Sequence, residues 1–265
     1  MKTIDTHAHI YPDKIADKAV SSIGAFYDIE MTGGSGTSCG LIESGSRIGV
    51  EKYIVHSTAT TVKQVKSIND FIVSECLKHP EFIGFMTLHP DMTEEEVEEE
   101  IERAASLGLK GIKLHPDFQK FYIDEDRPQK IYRAAAGRLP ILFHTGDERY
   151  DFSAPERMAK VAREHKNLIC IAAHFGGYTR WGEVDAYKGL DNMFFDTSSS
   201  LFKLSNKTAK EIIFKLGAEK FMFGSDYPMW SHEKELEKLL NLRLGCETED
   251  KILYLNAKAF IEKLT

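Results

Sequence analysis

FIGFMTLHPDMTEEEVEEEIERAASLGLKGIKLHP, residues 82–116, reads as a strand, a helix and a second strand. Phe82–His89 is apolar with little polar alternation, as a strand covered on both faces requires. Thr93 supplies an N-cap oxygen, Glu94–Glu96 bring negative charge to the first helical turn, and Gly108 ends the helix. Val97 and Ile101 keep helical spacing inside the acidic run 94–102, so that run is a solvated outer face rather than an interaction patch. Gly111 opens the next apolar run. Strands joined by a crossover helix of this length lie parallel.

The same beat extends in both directions. Apolar runs start at Thr3 (TIDTHAHI), Lys52 (KYIVHSTA), Phe82, Gly111, Pro140 (PILFHTG), Leu168 (LICIAAHFGG), Met193 (MFFDTSSS) and Phe221 (FMFGSDYP), 25 to 30 residues apart after a first gap of 49. Further helices are predicted behind Ser153, with Pro155 at the first helical position, and over Ser205–Gly217 and Ser231–Gly245. Eight near-equal units predict one (β/α)8 TIM barrel over residues 1–265. An open doubly wound sheet is disfavoured by the lack of any GxGxxG or GxxxxGK[ST] loop. The surplus in the first unit falls around Phe26–Gly45 and contains MTGGSGTSCG. It is expected to be a long mobile loop after strand 1, either a lid over the C-terminal mouth or a plain insertion.

Composition narrows the function classes. Of 265 residues 42% are hydrophobic and 28% charged, and 34 basic against 41 acidic residues leave a formal charge of −7. That balance argues against nucleic acid as a partner. No apolar run approaches the roughly 20 residues of a membrane helix, and the N-terminus lacks the pattern of a signal peptide. Cys39, Cys76, Cys170 and Cys246 are scattered, so reduced thiols and a cytoplasmic setting are expected.

The chemistry sits at the strand ends. His7 and His9 are two apart and share one face; strict alternation would turn Asp5 inward with them and send Ile4, Ala8 and Ile10 towards the helices. His144, His174 and Asp226 each follow an apolar run and precede a turn. In a closed barrel these side chains converge, and burying them without a partner would cost about 2–7 kcal/mol each. A divalent cation removes that cost. Nitrogen and oxygen ligands with an open position suit a catalytic zinc, or manganese or another first-row metal, rather than a thiolate structural site. Lys113 and His115 aim at the mouth from strand 4, towards substrate or the rim. Arg149, Tyr178 and Arg180 follow strands 5 and 6 as candidates for holding an anionic small molecule; surface solvation is the alternative for the arginines. His79 and His165 end helices, His56 and His89 read as core or rim residues, and His232 reads as surface.

DTHAH, HTG, HFGG, FDTS and FGSDYP, in this order from Asp5 to Asp226, resemble the amidohydrolase superfamily. The chain is most similar to the amidohydrolase-related (family 2) branch, which holds aminocarboxymuconate-semialdehyde decarboxylase and related metal-dependent hydrolases. The resemblance implies that His7, His9, His144 and Asp226 bind the metal, with Asp226 also moving a proton. It implies that His174 lies beside the metal and polarises the substrate. One metal per chain is favoured over two; in two-metal relatives Lys113 and His174 would be further ligands. The expected reaction is hydrolysis of a small organic-acid amide, lactone or ester by a metal-activated water. The alternative is non-oxidative decarboxylation of an aromatic or muconate-type acid at the same site. A barrel that has lost catalysis is least in keeping with these intact motifs. Relatives are often dimers, so a homodimer is one expectation.

Overall fold

The structure is a computed structural model that describes residues 2–264. Eight strands pair in chain order, each parallel to the next: β1 (Thr3–His9), β2 (Val50–His56), β3 (Phe82–Thr87), β4 (Gly111–Leu114), β5 (Ile141–Phe143), β6 (Cys170–Ala172), β7 (Met193–Asp196) and β8 (Phe221–Met222). Helices fill the connections. The TIM barrel closes from β8 to β1 through hydrogen bonds from Thr6 N–H to Phe223 O (2.9 Å) and from His9 N–H to Tyr227 O (2.7 Å).

Two apolar layers hold it. Ile4, Ile54, Phe85, Leu142, Ile171 and Met222 form one cluster, plugged from below by Phe260. Side chains from opposite walls meet only inside a barrel, so this cluster is its interior. Ala8, Val55, Met86, Ile112 and Phe143 belong to the second layer, between sheet and helices. With the lower interior packed, polar side chains can gather only at the C-terminal mouth.

The first strand departs from strict alternation. Ile4 packs inside, and Asp5 turns outward beneath the helix His232–Leu240. The cause is a bulge: β1 spends three steps between Asp5 and Ala8 where β2 spends two, from Tyr53 to Val55. The extra residue resets the parity, so His7 and His9 still face the interior.

The helix Glu94–Ser106 carries the expected capping box: Thr93 Oγ1 accepts from Glu96 N–H (3.1 Å), and the Glu96 carboxylate accepts from Thr93 N–H (2.7 Å). Thr93→Ala is expected to cost about 1 kcal/mol of stability, read as a lower urea midpoint at unchanged slope. Ser205 and Ser231 cap their helices as expected. Ser153 does not. Ala154 holds the cap position, and Ser153 Oγ donates to Gly146 O (3.1 Å) instead. The last predicted helix stops at Leu240, short of Gly245.

The segment after β1 is not one long loop. It folds as two helices, α1 (Asp13–Tyr27) and α2 (Ser38–Ser46), with 28–37 strapped against the turn after β8. Thr32 N–H and Gly33 N–H donate to Met229 O and Pro228 O, both at 3.0 Å. A Cβ at Gly33 would lie 2.4 Å from Trp230 O. That glycine permits close backbone approach, where composition alone suggests looseness. Among the described residues no helix is long and apolar enough to cross a membrane.

Candidate active site

The C-terminal ends of β1 and β8 bring three ligand-type atoms together. His7 Nε2 lies 3.3 Å from His9 Nε2, and Asp226 Oδ1 lies 3.4 Å from each. Backbone positions this trio: Asp226 N–H donates to His7 O (2.8 Å), and Asp226 adopts a left-handed φ of 56°. Gly224 lets the two strands close, since a Cβ there would meet His7 Cβ at 3.0 Å.

Around the trio most of the remaining polar atoms have a partner, His9 Nδ1 being a buried exception. His7 Nδ1 pairs with Asp196 Oδ2 (2.8 Å). Asp196 Oδ1 accepts from the N–H groups of His174 and Ser198, both at 3.0 Å. Ser199 Oγ donates to Asp226 Oδ2 and accepts from Trp230 Nε1–H (2.9 Å). The Trp230 bond leaves the Ser199 proton for the carboxylate, so Oδ1 is the oxygen free to face the histidines. Carboxylate behind imidazole is the arrangement that fixes tautomer and ring direction in a metal ligand.

Burial and charge then set protonation. Burial opposes ionisation of Asp226 and Asp196, but the polar groups around each carboxylate, His7 foremost and His174 with it, together outweigh it and hold both well below the usual carboxylate range. Burial lowers His9 to about 4 and drives His174 and His115 well below the ordinary histidine value. Lys113 Nζ sits 3.2 Å from His7 Nε2, and burial pulls it down to about 8. The site therefore presents neutral imidazoles at His9, His174 and His115 beside ionised carboxylates. Nitrogen and oxygen ligands bonded at about 2.0–2.1 Å in tetrahedral array stand about 3.3–3.4 Å apart. The trio has that spacing, with a neutral His9 and an ionised Asp226, so a divalent cation fits it.

The other expected residues divide. His174 and His144 share a hydrogen bond (Nε2 to Nδ1, 3.0 Å), and His144 Nε2 lies 3.2 Å from Asp117 Oδ2. His144 thus lines the same cavity while its ring nitrogens face His174 and Asp117 rather than the trio. His115 stacks on His144 at 4.0 Å between centroids and pairs through Nε2 with Tyr27 Oη (3.1 Å). Tyr178 is buried behind His174, 5.7 Å between centroids. The arginines stand apart. Arg149 forks onto Asp147 (Nη2 to Oδ2, 2.7 Å) and donates to Phe26 O, clamping the end of α1. Arg180 pairs with Asp151 (2.9 Å) and Glu183 (2.8 Å). Both line an outer groove instead of the cavity, because acidic neighbours 2 to 29 residues away in sequence claim them first.

Asp196, Ser198, Ser199 and Asp117 are additions that strand-end reading passed over, although Asp196 ends β7 as Asp226 follows β8. Tyr27 has no such signal, because it reaches the cavity from α1. The cavity is walled by Ile23, Tyr27 and Met31 from the segment after β1, Phe118 after β4, and Pro228 and Met229 after β8. Its polar floor is the trio with Lys113, His115, His144 and His174. His232, expected at the surface, is fully buried: Nε2 lies 2.9 Å from Asp5 Oδ2 and Nδ1 2.8 Å from Ser44 Oγ.

A parallel barrel with histidine and aspartate groups that could hold a metal at its C-terminal mouth has the architecture of a class of barrel enzymes. The chain belongs to the amidohydrolase family, whose model matches residues 4–262. No curated protein matches it in sequence. An uncharacterised TIM-barrel protein from Bordetella bronchiseptica superposes with a TM-score of 0.83 at 15% identity, covering 100% of this chain and 99% of that one. A dihydroxybenzoic acid decarboxylase from Polaromonas, solved with manganese and the inhibitor 2-nitroresorcinol, gives 0.70 at 15% identity, covering 98% and 97%. A candidate 2-pyrone-4,6-dicarboxylic acid hydrolase from Pseudomonas putida gives 0.65 at 15% identity, with the same coverage. At these identities the likeness is one of fold.

Proposed function

We propose that this enzyme hydrolyses an amide, lactone or ester of a small organic acid at a single divalent cation held by His7, His9 and Asp226. The observation that carries the reading is the 3.3–3.4 Å spacing of those three ligand atoms at the floor of an enclosed cavity. Such a cation, when bound, acts as a Lewis acid and lowers the pKa of a water to about 7. Asp226, kept ionised, accepts the proton of the attacking water and returns it to the leaving group. Neutral His174 donates a hydrogen bond to the carbonyl oxygen. Lys113, the one cationic side chain among the described cavity-lining residues, pairs with a single acid group of the substrate. The apolar walls then select a compact apolar body.

Decarboxylation is the second reading. It is favoured by the apolar enclosure, which suits a reaction that consumes no water. Asp226 would then carry a proton, taken up from solvent or from a hydroxyl of the substrate, to the carbon that loses CO2.

Chelation followed by reloading with zinc or manganese provides the test. Metal content should reach one atom per chain, and a panel of lactones, esters and amides should release acid only with the reloaded protein. CO2 release from hydroxybenzoic acids without acid formation would replace the first reading by the second. A metal-free protein with full activity on either panel would overturn both.

A further inference from the structure

His56 ends β2, where Ile54 packs in the barrel interior and Val55 in the outer layer, so alternation turns His56 inward. It is the direct register partner of His9 on the adjacent strand. Its ring meets the His9 ring edge to face at 4.4 Å and the His7 ring at 5.0 Å. One ring nitrogen from each of these three buried histidines lies within 4.8 Å of the other two.

The ring is also stranded. His56 has no exposed surface, and neither ring nitrogen has a hydrogen-bond partner; among the described residues no other buried histidine has both unpartnered. A buried polar group in that state lowers stability unless something outside the chain satisfies it. Substrate does not reach it, because His56 is absent from the cavity wall.

We propose that His56 is a fourth protein ligand to the cation held by His7, His9 and Asp226. The inference rests on the reading of that trio as a metal site. Ligands around one ion stand about 3.3–4.2 Å apart at the bond lengths usual for zinc, and the broad terminal torsion of a histidine ring covers the difference.

His56→Leu separates this role from a structural one. The variant should bind zinc roughly 100-fold more weakly or worse in competition with a chromophoric chelator. Its metal-free form should melt no lower than metal-free wild type, since an apolar side chain replaces an unpaired polar one. Pulsed electron paramagnetic resonance of the copper(II)-loaded proteins should count one imidazole fewer in the variant. Wild-type zinc affinity with an unchanged imidazole count would overturn the proposal and assign a buried water as the partner. A destabilised metal-free variant with unchanged affinity would overturn it in favour of a packing role. If His56→Leu does not fold, His56→Gln is read by the same titration and spectrum, with the same outcomes. His7→Ala is the control. If it loses zinc while the His56 variant keeps it, only the fourth ligand fails; if wild type binds no zinc, the metal reading itself fails.

Discussion

Asp226→Asn should lower turnover on the order of 10²- to 10⁴-fold, the usual weight of a positioned proton-transfer group, and weaken metal binding at the same time. The substitution keeps the side chain's size and its place between His7 and His9. It removes the negative charge that offsets the cation and the basic oxygen that accepts a proton. Ser199 Oγ and Trp230 Nε1 remain in line behind the side chain, so the amide has a defined orientation. Near-normal metal content measured by elemental analysis, together with near-normal activity, would remove Asp226 from the chemistry. Metal retained with turnover lost would leave it the proton carrier only.

Asp5→Ala should cost about 3–5 kcal/mol of folding stability, the range for removing one partner of a buried charged network. Asp5 has no exposed surface and accepts from His7 N–H (3.0 Å), Ser225 N–H (3.0 Å) and Ser225 Oγ–H (2.6 Å), and pairs with His232 Nε2 (2.9 Å). Deleting the carboxylate strands those donors in a volume too well packed to admit water to all of them. The network ties β1, the turn after β8 and the helix His232–Leu240 together directly beneath the trio. Urea denaturation monitored by circular dichroism reads the loss; a change under about 1 kcal/mol would mean that the site repacks. Asp5→Asn, which keeps two acceptor positions on one oxygen, should cost less than alanine.

The two predictions mark different depths of legibility. Asp226 stands out in sequence because FGSDYP places an acid after an apolar run, and a closed barrel can only aim that acid at the mouth. Asp5 is misread by the same logic. A single bulge residue between Asp5 and Ala8 converts an expected interior carboxylate into the outward anchor of His232, a pairing 227 residues apart in sequence. The insert teaches the same lesson: MTGGSGTSCG has the composition of a flexible loop, yet Gly33 is there because the carbonyls of Pro228 and Trp230 pass too close for a side chain. Arg149 and Arg180 are likewise sensible anion anchors until Asp147, Asp151 and Glu183 are seen to hold them.

The order and spacing of strands and the parallel barrel are properties of the chain by itself, because hydrophobic period and strand–helix length are local quantities. Which ring nitrogen faces which oxygen is not local. The convergence of His7, His9 and Asp226, the carboxylate behind His7, the stranding of His56 and the wall built by Tyr27 all depend on residues from separate units closing round one axis. A shift of one residue in register, or one bulge, changes every one of those contacts while leaving the apolar pattern intact.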